Sequence, residues 1–504
     1  MTRWNEHADV VVVGCGYAGA VAAISAHDAG AKVLLLEKMP DPGGISVCSF
    51  GGVRTAQDAS QAFAYLRRTN QGTAPDAVLK ALARGMVALP RRVDAFAWAV
   101  GASTASRASP ANYPFEGNDT FAFSEIGTVP DFDAARAYPH VRGAPGGALM
   151  FEVLMRNLAL RGIAVNTGSS AVRLLCDARG VLHGLEVRSG RTARNVRARR
   201  GIVLACGGFE GDPAMQRAFW PEGAVMPAAF RGNTGDGIRM AQTQGADLWH
   251  MWHYHGSYGF RHPDPAYPFG IRTKRLPDWQ PGTPPRGDVH MPWILLNRRG
   301  RRFVNEYDPY VQDTGARAFA RYDPQAQDYA AMPAWLLADA AGAAIYPFGR
   351  PTSHAAGVSY DWSPDNSKEM TLGILHRAAD LAELARATGL DAATLADSLA
   401  RWNAACAAAA DEEWGRPPSS MMPITRPPFV FAPVWPIVSN TQGGPVHDAA
   451  QRILRPDGTP IARLYAAGEM GSLFGHLYMS GGNIAECFVG GRLAGIGAAR
   501  AAAD

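Results

Sequence analysis

The feature that most constrains the fold is a glycine-rich turn between an apolar strand and a helix near the N-terminus. Residues 9–13 are four valines after Asp9, an apolar and β-branched run as in a buried parallel strand. Residues 14–19 follow with the pattern GxGxxG and open an alanine-rich stretch. A second apolar strand is predicted over residues 32–37 and ends in Glu37. This succession predicts a Rossmann-type dinucleotide-binding unit.

Each glycine of the turn has a predicted physical role. Gly14 permits the tight turn, Gly16 lets a pyrophosphate approach the backbone, and Gly19 lets helix and strand pack closely. The N-terminus of the helix supplies unpaired N–H groups and a partial positive charge for the phosphates. Glu37 is predicted to accept hydrogen bonds from the hydroxyls of the adenosine ribose.

Parts of this dinucleotide-binding unit are predicted at both ends of the chain. Largely apolar segments recur at residues 201–205 and 463–467, and glycine follows each of them, at Gly207 and Gly468. We therefore predict an α/β fold with a discontinuous dinucleotide-binding domain over residues 1–270 and 436–504. The intervening residues 271–435 are predicted to form an inserted α+β domain that caps the first domain and carries part of the catalytic site.

Composition excludes several other classes of protein. A net charge of +4 over 504 residues gives no electrostatic case for binding nucleic acid. The six cysteines are scattered without a CxxC pair, so neither a zinc site, an iron–sulfur cluster nor a disulfide framework is indicated. No basic leader precedes the first strand, and no apolar run approaches the length of a transmembrane segment. A cytoplasmic location is expected.

Several later segments resemble the fumarate reductase and succinate dehydrogenase flavoprotein superfamily. The resemblance extends along nearly the whole chain and implies that the dinucleotide is FAD. It is carried by the double-glycine segment 37–46, the Gly-Gly turn at 205–209, the TGDG segment 233–237, the RFVNE strand 300–306, the Gly-Glu segment 465–469 and the Gly-Gly-Asn turn 481–483.

The resemblance also assigns residues to the cofactor. Glu469 is expected on the ribityl chain, and the helix after Gly481 is expected beneath the flavin pyrimidine, where its N-terminus stabilises negative charge on the reduced ring. Covalent members attach the flavin to a histidine, whereas residues 47–52 contain none, so FAD is expected to bind non-covalently. The predicted cofactor-binding residues are Gly14, Gly16, Gly19, Glu37, Lys38, Gly43, Gly44, Ser46, Gly207, Asp236, Glu469, Asn483 and Ile484.

The substrate side departs from the fumarate reductase pattern. Residues 307–313, directly after the RFVNE strand, contain no arginine at the position where the family has one, and Met479 stands where a carboxylate-binding arginine is expected. The sequence is instead similar to the 3-ketosteroid dehydrogenase branch, which implies catalytic roles for Tyr310, Tyr478 and Gly482. The Tyr478 hydroxyl and the Gly482 N–H would polarise a ketone oxygen, while Tyr310 as phenolate would remove the proton alpha to the ketone. The phenol pKa of about 10 must be lowered for that role.

Alternatives stay open at this point. Tyr307 competes with Tyr310 as the base, and His476 is a candidate polar contact in the pocket. The histidines at 250, 253, 255 and 262 invite a metal interpretation, but no carboxylate or cysteine stands at ligand spacing, and no metal is predicted. The substrate is expected to be a small apolar ketone such as a steroid, and the electron acceptor is unknown. The competing functions are a fumarate reductase-like or tricarballylate dehydrogenase-like enzyme acting on a carboxylate, and a flavoprotein subunit that passes electrons to a partner.

Overall fold

A mostly parallel sheet joins the two ends of the chain in the computed structural model, which describes residues 3–141, 145–223, 225–274, 290–307, 311–350 and 358–503. This sheet has eight strands. The main path follows the order Arg452–Leu454, Pro460–Ala466, Thr192–Leu204, Glu6–Val13, Val33–Leu36 and Val165–Asn166. The two remaining strands, Leu182–Ser189 and Ser170–Cys176, form a meander beside the first half of Thr192–Leu204. The predicted α/β fold is confirmed.

Two helices rich in small residues pack side by side next to this sheet. The first helix, Tyr17–Asp28, runs parallel to the C-terminal helix, Gly482–Arg500. Ala18 lies opposite Gly491, and one turn later Ala22 lies opposite Gly495. A Cβ on Gly495 would lie only 2.2 Å from the carbonyl oxygen of Ala22. Glycine at this position therefore lets the two backbones approach closely.

A second sheet, of seven strands, occupies the middle of the chain. Its main path follows the order Gly270–Arg272, Tyr254–Arg261, Phe429–Thr441, Ala334–Asp339 and Ile294–Leu296. The short strands Met226–Pro227 and His376–Ala378 also pair with Phe429–Thr441. The predicted domain boundaries at 270 and 436 both fall inside strands of this sheet, and the division into two domains stays a prediction.

Smaller elements complete the fold. The remaining strands are Val53–Ala56, Phe121–Thr128 and Ser103–Ala108 in one sheet, Leu248–Trp249 with Gly444–Pro445, and Tyr322–Asp323 with Asp328–Tyr329. The remaining α-helices are Ala59–Asn70, Asp76–Trp98, Ala134–Ala137, Gly146–Leu160, Pro213–Phe219, Asp236–Thr243, Val311–Thr314, Ala340–Ala343, Ser367–Leu372, Leu381–Thr388 and Ala392–Ala408, and the 3₁₀ helices are Gly44–Ser46, Asn118–Thr120 and Pro418–Ser420. Within the described ranges, no helix combines the length and apolar character that crossing a membrane requires.

Candidate functional site

The glycine-rich turn adopts a geometry that side chains would block. Gly14 has φ of +98°, and a Cβ there would lie 2.4 Å from the carbonyl oxygen of Ala205 on the neighbouring strand. A Cβ on Gly19 would lie 1.8 Å from the carbonyl oxygen of Gly14. Gly16 is the N-cap of the first helix and has no side chain to cap it, and the first residues of this helix line the cavity beside the turn.

This cavity has an empty volume of about 780 Å³, including its open mouth. It runs from the glycine-rich turn past the double-glycine segment to Glu469. Most of the predicted cofactor residues line it: Gly14, Gly16, Glu37, Lys38, Gly43, Gly44, Ser46, Gly207, Asp236 and Glu469. The other three, Gly19, Asn483 and Ile484, do not line it: Gly19 lies against the backbone of Gly14, while Asn483 and Ile484 belong to the first turn of the C-terminal helix.

Glu37 is held at the cavity wall by two backbone donors. Its Oε2 accepts a hydrogen bond from the Cys15 N–H at 2.9 Å, and its Oε1 accepts one from the Met39 N–H at 2.9 Å. A carboxylate has about four lone-pair positions, so both oxygens retain capacity for ribose hydroxyls. Glu37 thus fastens the glycine-rich turn to the end of the second strand while it faces the cavity.

The Lys38 ammonium group is already paired at the cavity rim. Its Nζ donates to Asp236 Oδ2 at 2.8 Å and to Thr234 Oγ1 at 2.7 Å. These contacts join the double-glycine segment to the start of helix Asp236–Thr243, although the two segments are about 200 residues apart in the sequence. Lys38 and Asp236, which were predicted separately as cofactor residues, therefore form one unit.

Two buried carboxyl groups meet near the far end of the cavity. Asn233 Nδ2 donates to Glu210 Oε1 at 2.7 Å and to Glu469 Oε2 at 3.1 Å. Glu469 Oε1 also accepts the Thr441 N–H at 2.7 Å. Burial raises the pKa of Glu469 to about 7, and burial together with the charge of Glu469 raises the pKa of Glu210 well above its ordinary value. Both shifts favour the protonated, neutral form of these carboxyl groups over two adjacent negative charges. No sequence pattern predicted a role for Glu210.

The C-terminal helix begins at a turn that is tied to the surrounding strands by Asn483. Its Nδ2 donates to Gln442 Oε1 at 3.1 Å, to Ser472 Oγ at 3.2 Å and to Glu486 Oε2 at 3.1 Å. Gly481, the residue before the helix, has φ of +76° and provides no side-chain cap. The Asn483 side chain thus fixes the uncapped helix N-terminus, which the sequence analysis expected beneath the flavin.

Tyr478 lies at this turn with its hydroxyl held by the backbone. The phenol oxygen accepts the Gly481 N–H at 3.1 Å, and the ring packs 4.1 Å from that of His255, measured between ring centroids. The Gly482 N–H donates to the Met479 carbonyl oxygen at 2.7 Å, so this predicted donor already has a partner. The catalytic role of Gly482 stays a prediction. It requires the Gly482 N–H to donate to the ketone oxygen instead of, or in addition to, the Met479 carbonyl oxygen.

A buried acid–base cluster lies directly behind Tyr478. Asp313 Oδ2 accepts the Tyr478 N–H at 2.9 Å and the Tyr113 hydroxyl at 2.6 Å. Burial by itself would raise the pKa of Asp313, but His253, His255 and Arg317 outweigh it and hold the pKa well below its usual range. Burial lowers the pKa of both histidines, which favours neutral imidazoles.

No short sequence pattern identifies Tyr113 or Asp313 as members of this cluster. They come from distant segments, and only the fold brings them together.

The remaining candidates have varied surroundings. Tyr310 lies outside the described residues. Tyr307 is buried in an apolar cluster of the middle sheet. His476 is half-buried, and its carbonyl oxygen accepts from Arg317. Among the residues that the structure describes, no group of three metal-ligating side chains could hold an ion.

The RFVNE segment 300–306, predicted as a strand, forms only an isolated bridge between Arg302 and Leu296. Arg302 is part of a buried ion network. Its guanidinium donates to Glu306 at 2.9 Å and to Asp411 at 3.0 Å, and Arg416 contacts the same Glu306. Arg301 pairs with Asp397 at the surface. The contacts of the Arg302 side chain are thus structural, and they fasten the RFVNE segment to Asp411, which is 109 residues away in the sequence.

Comparison with known proteins agrees with this geometry. Residues 9–484 match the FAD binding domain family. The 3-oxosteroid 1-dehydrogenase of Mycobacterium tuberculosis is 28% identical, over 97% of this chain and 97% of that protein. The fumarate reductase (cytochrome) of Shewanella frigidimarina is 26% identical, over 98% of this chain and 78% of that protein.

Among solved structures, the 3-ketosteroid Δ1-dehydrogenase of Sterolibacterium denitrificans has the same fold, with a TM-score of 0.82 and 23% identity over 98% of this chain and all of that one. The resemblance read from the sequence motifs is confirmed. The chain belongs to the FAD binding domain family, within the fumarate reductase and succinate dehydrogenase flavoprotein superfamily, and FAD is its cofactor.

Proposed function

We propose that this FAD-dependent oxidoreductase introduces or reduces a carbon–carbon double bond next to the ketone of a bulky apolar molecule of the 3-ketosteroid type. The observation that carries the proposal is the setting of Tyr478. Its hydroxyl accepts the Gly481 N–H immediately before the helix Gly482–Arg500, so the phenol is oriented at the turn where a ketone is to be polarised. The two 3-ketosteroid relatives named above support this substrate class.

The residues of the chain have separate tasks in this reaction. Tyr478 donates its hydroxyl hydrogen to the ketone oxygen, and the bond that its own oxygen accepts from Gly481 strengthens that donor. Polarising the ketone acidifies the neighbouring C–H, from which Tyr310 takes the proton. Bound FAD supplies the group that accepts or returns the hydride at the adjacent carbon. The uncapped N-terminus of helix Gly482–Arg500 favours negative charge nearby.

A dicarboxylate substrate has less support. Met479 is 1% exposed and occupies the position where the resemblance expects a carboxylate-binding arginine. A thioether offers no charge and no hydrogen-bond donor to a carboxylate. We therefore favour the ketone over the fumarate-like substrate. We also propose that the protein is cytoplasmic and that a separate molecule, whose identity is unknown, accepts the electrons from the flavin.

We also propose that FAD is held without a covalent bond. Segment 47–52 contains no histidine, and burial raises the pKa of Cys48 to about 12, which keeps its thiol protonated and unreactive. Acid or heat is expected to release the flavin into the supernatant when the protein is precipitated. Flavin that stays with the washed precipitate would contradict this proposal.

The substrate proposal is tested by anaerobic reduction of the bound flavin. Saturated 3-ketosteroids are expected to bleach the flavin absorbance, whereas succinate and tricarballylate are not. Dithionite-reduced protein, tested in the reverse direction, is expected to be reoxidised by 1-ene 3-ketosteroids and not by fumarate. Rapid reaction with the carboxylates and none with the ketones would overturn the proposal.

A further inference from the structure

The carboxylate of Asp313 connects three parts of the chain at the candidate catalytic turn. It comes from the segment 311–317, which belongs to the predicted inserted domain. Its Oδ2 accepts the main-chain N–H of Tyr478 at 2.9 Å and the hydroxyl of Tyr113 at 2.6 Å. The Asp313 side chain is completely buried. One carboxylate oxygen therefore anchors the residue that the proposed function uses as the ketone donor.

Arg317, four residues later, holds the same turn from a second direction. Its Nη2 donates to the carbonyl oxygen of His476, two residues before Tyr478. The same Nη2 lies 2.7 Å from Nε2 of His253. The Nδ1 of His253 faces the Phe474 carbonyl oxygen, which assigns the imidazole hydrogen to Nδ1 and leaves Nε2 to accept from Arg317.

The surroundings of the second carboxylate oxygen of Asp313 favour its ionised form. Asp313 Oδ1 lies 3.4 Å from His253 Nε2 and makes no hydrogen bond within the part of the chain that the structure describes. His253, His255 and the positively charged Arg317 together hold the pKa of Asp313 below its usual range. An ionised carboxylate in a buried site is a stronger acceptor for the Tyr478 N–H than a neutral oxygen would be.

We propose that Asp313 is a positioning residue that fixes Tyr478 from the segment 311–317, so that the ketone donor is in place only while this segment is docked. The inference rests on the proposed function in one respect, namely that Tyr478 is the donor. The anchoring itself is a property of the protein that can be measured without any substrate.

Hydrogen exchange in the holoenzyme tests the anchoring. Asp313→Ala removes the acceptor of the Tyr478 N–H, and we expect the amides of residues 476–482 to exchange at least about tenfold faster. Asp313→Asn retains an amide oxygen and the fold, and we expect an intermediate increase. Asp339→Asn is the matched control, since Asp339 is an equally buried aspartate that accepts main-chain N–H groups of Gly342, Thr425 and Arg426. It should leave residues 476–482 unchanged.

A kinetic cycle tests whether the anchoring acts through Tyr478. We expect Asp313→Asn to lower kcat by about ten- to a hundredfold with little change in KM. In the Tyr478→Phe background the same substitution should cost no more than about twofold, because the donor is already absent.

Each outcome of the two experiments is decisive. Unchanged exchange at 476–482 in Asp313→Ala overturns the anchoring, whatever the enzyme acts on. If exchange is faster but Asp313→Asn lowers kcat by the same factor with and without Tyr478→Phe, the link to Tyr478 is overturned. If ketones fail as substrates, the exchange experiment still decides the anchoring, so failure of the proposed function is distinguished from failure of this one.

Discussion

Replacing Tyr478 by phenylalanine removes one oxygen and leaves the ring in place. The ring contacts, including the 4.1 Å approach to His255 and the edge-on contact with Phe474, do not depend on the hydroxyl. The substitution removes one contact with the described residues and one proposed contact with the substrate. The Gly481 N–H loses the acceptor that it has at 3.1 Å, and the ketone loses its proposed hydrogen-bond donor.

The two losses differ in size and appear in different measurements. Leaving a partly buried N–H without its acceptor costs about 1 kcal/mol of folding stability. Loss of an oxyanion donor typically costs about 3–4 kcal/mol in the transition state, which corresponds to roughly 10²–10³ in rate. We therefore expect Tyr478→Phe to retain its FAD and most of its stability while flavin reduction slows by two to three orders of magnitude.

Stopped-flow reduction of the flavin under anaerobic conditions measures the rate, and urea unfolding measures the stability. Tyr360→Phe is the matched control: Tyr360 is as buried as Tyr478, at 7% exposure each, and its hydroxyl donates to Glu369 at 2.7 Å. The control should lose similar stability without losing rate. A Tyr478→Phe enzyme that reduces flavin within about threefold of wild type would refute the oxyanion role.

Three further substitutions test the surrounding structure. Gly19→Ala places a methyl group 1.8 Å from the Gly14 carbonyl oxygen, so we expect poorly folded protein without flavin, measured by flavin absorbance per protein. Arg302→Met removes the cation that pairs with the buried carboxylates of Glu306 and Asp411, and it should lower the free energy of unfolding, measured in urea, by about 3 kcal/mol. Burial raises the pKa of Glu486 from 4.5 to about 7, so the folded state binds its proton more tightly than the unfolded state and stability falls as pH rises between these values. Replacing this residue, Glu486→Gln, should therefore flatten the decrease in stability between pH 5 and pH 8 by up to about 3 kcal/mol, and an unchanged pH profile would contradict the burial argument.

The cofactor cavity could be predicted because short, local sequence patterns specify many of the residues that line it. The turn at residues 14–19 requires glycine for steric reasons that hold within one strand–turn–helix unit. The long strand Thr192–Leu204 shows the limit of such patterns, since only its last residues were predicted. Its first part lies at the edge of a three-stranded meander, where polar and apolar residues alternate and the continuous apolar signal of a buried strand is absent.

The cluster behind Tyr478 could not be predicted, because no local pattern encodes it. Tyr113 and Asp313 are 200 residues apart in the sequence, and the Tyr478 N–H that shares the carboxylate is 165 residues further on. A tyrosine or an aspartate in isolation has many ordinary roles. Only the packing of distant segments makes this carboxylate buried, ionised and shared.

The charge balance of this cluster bears directly on the chemistry proposed for Tyr478. Negative charge that develops on a ketone oxygen is opposed by any uncompensated carboxylate nearby. Asp313 is a carboxylate close to this site, but the positive charge of Arg317, four residues later in the sequence, opposes its negative charge. Burial favours the neutral form of both neighbouring histidines. The anchor can therefore be ionised, and so bind the Tyr478 N–H strongly, without adding net negative charge to the site. A neutral side chain at position 313 would bind the Tyr478 N–H more weakly. A carboxylate there without a nearby positive charge would oppose the negative charge that develops on the ketone oxygen.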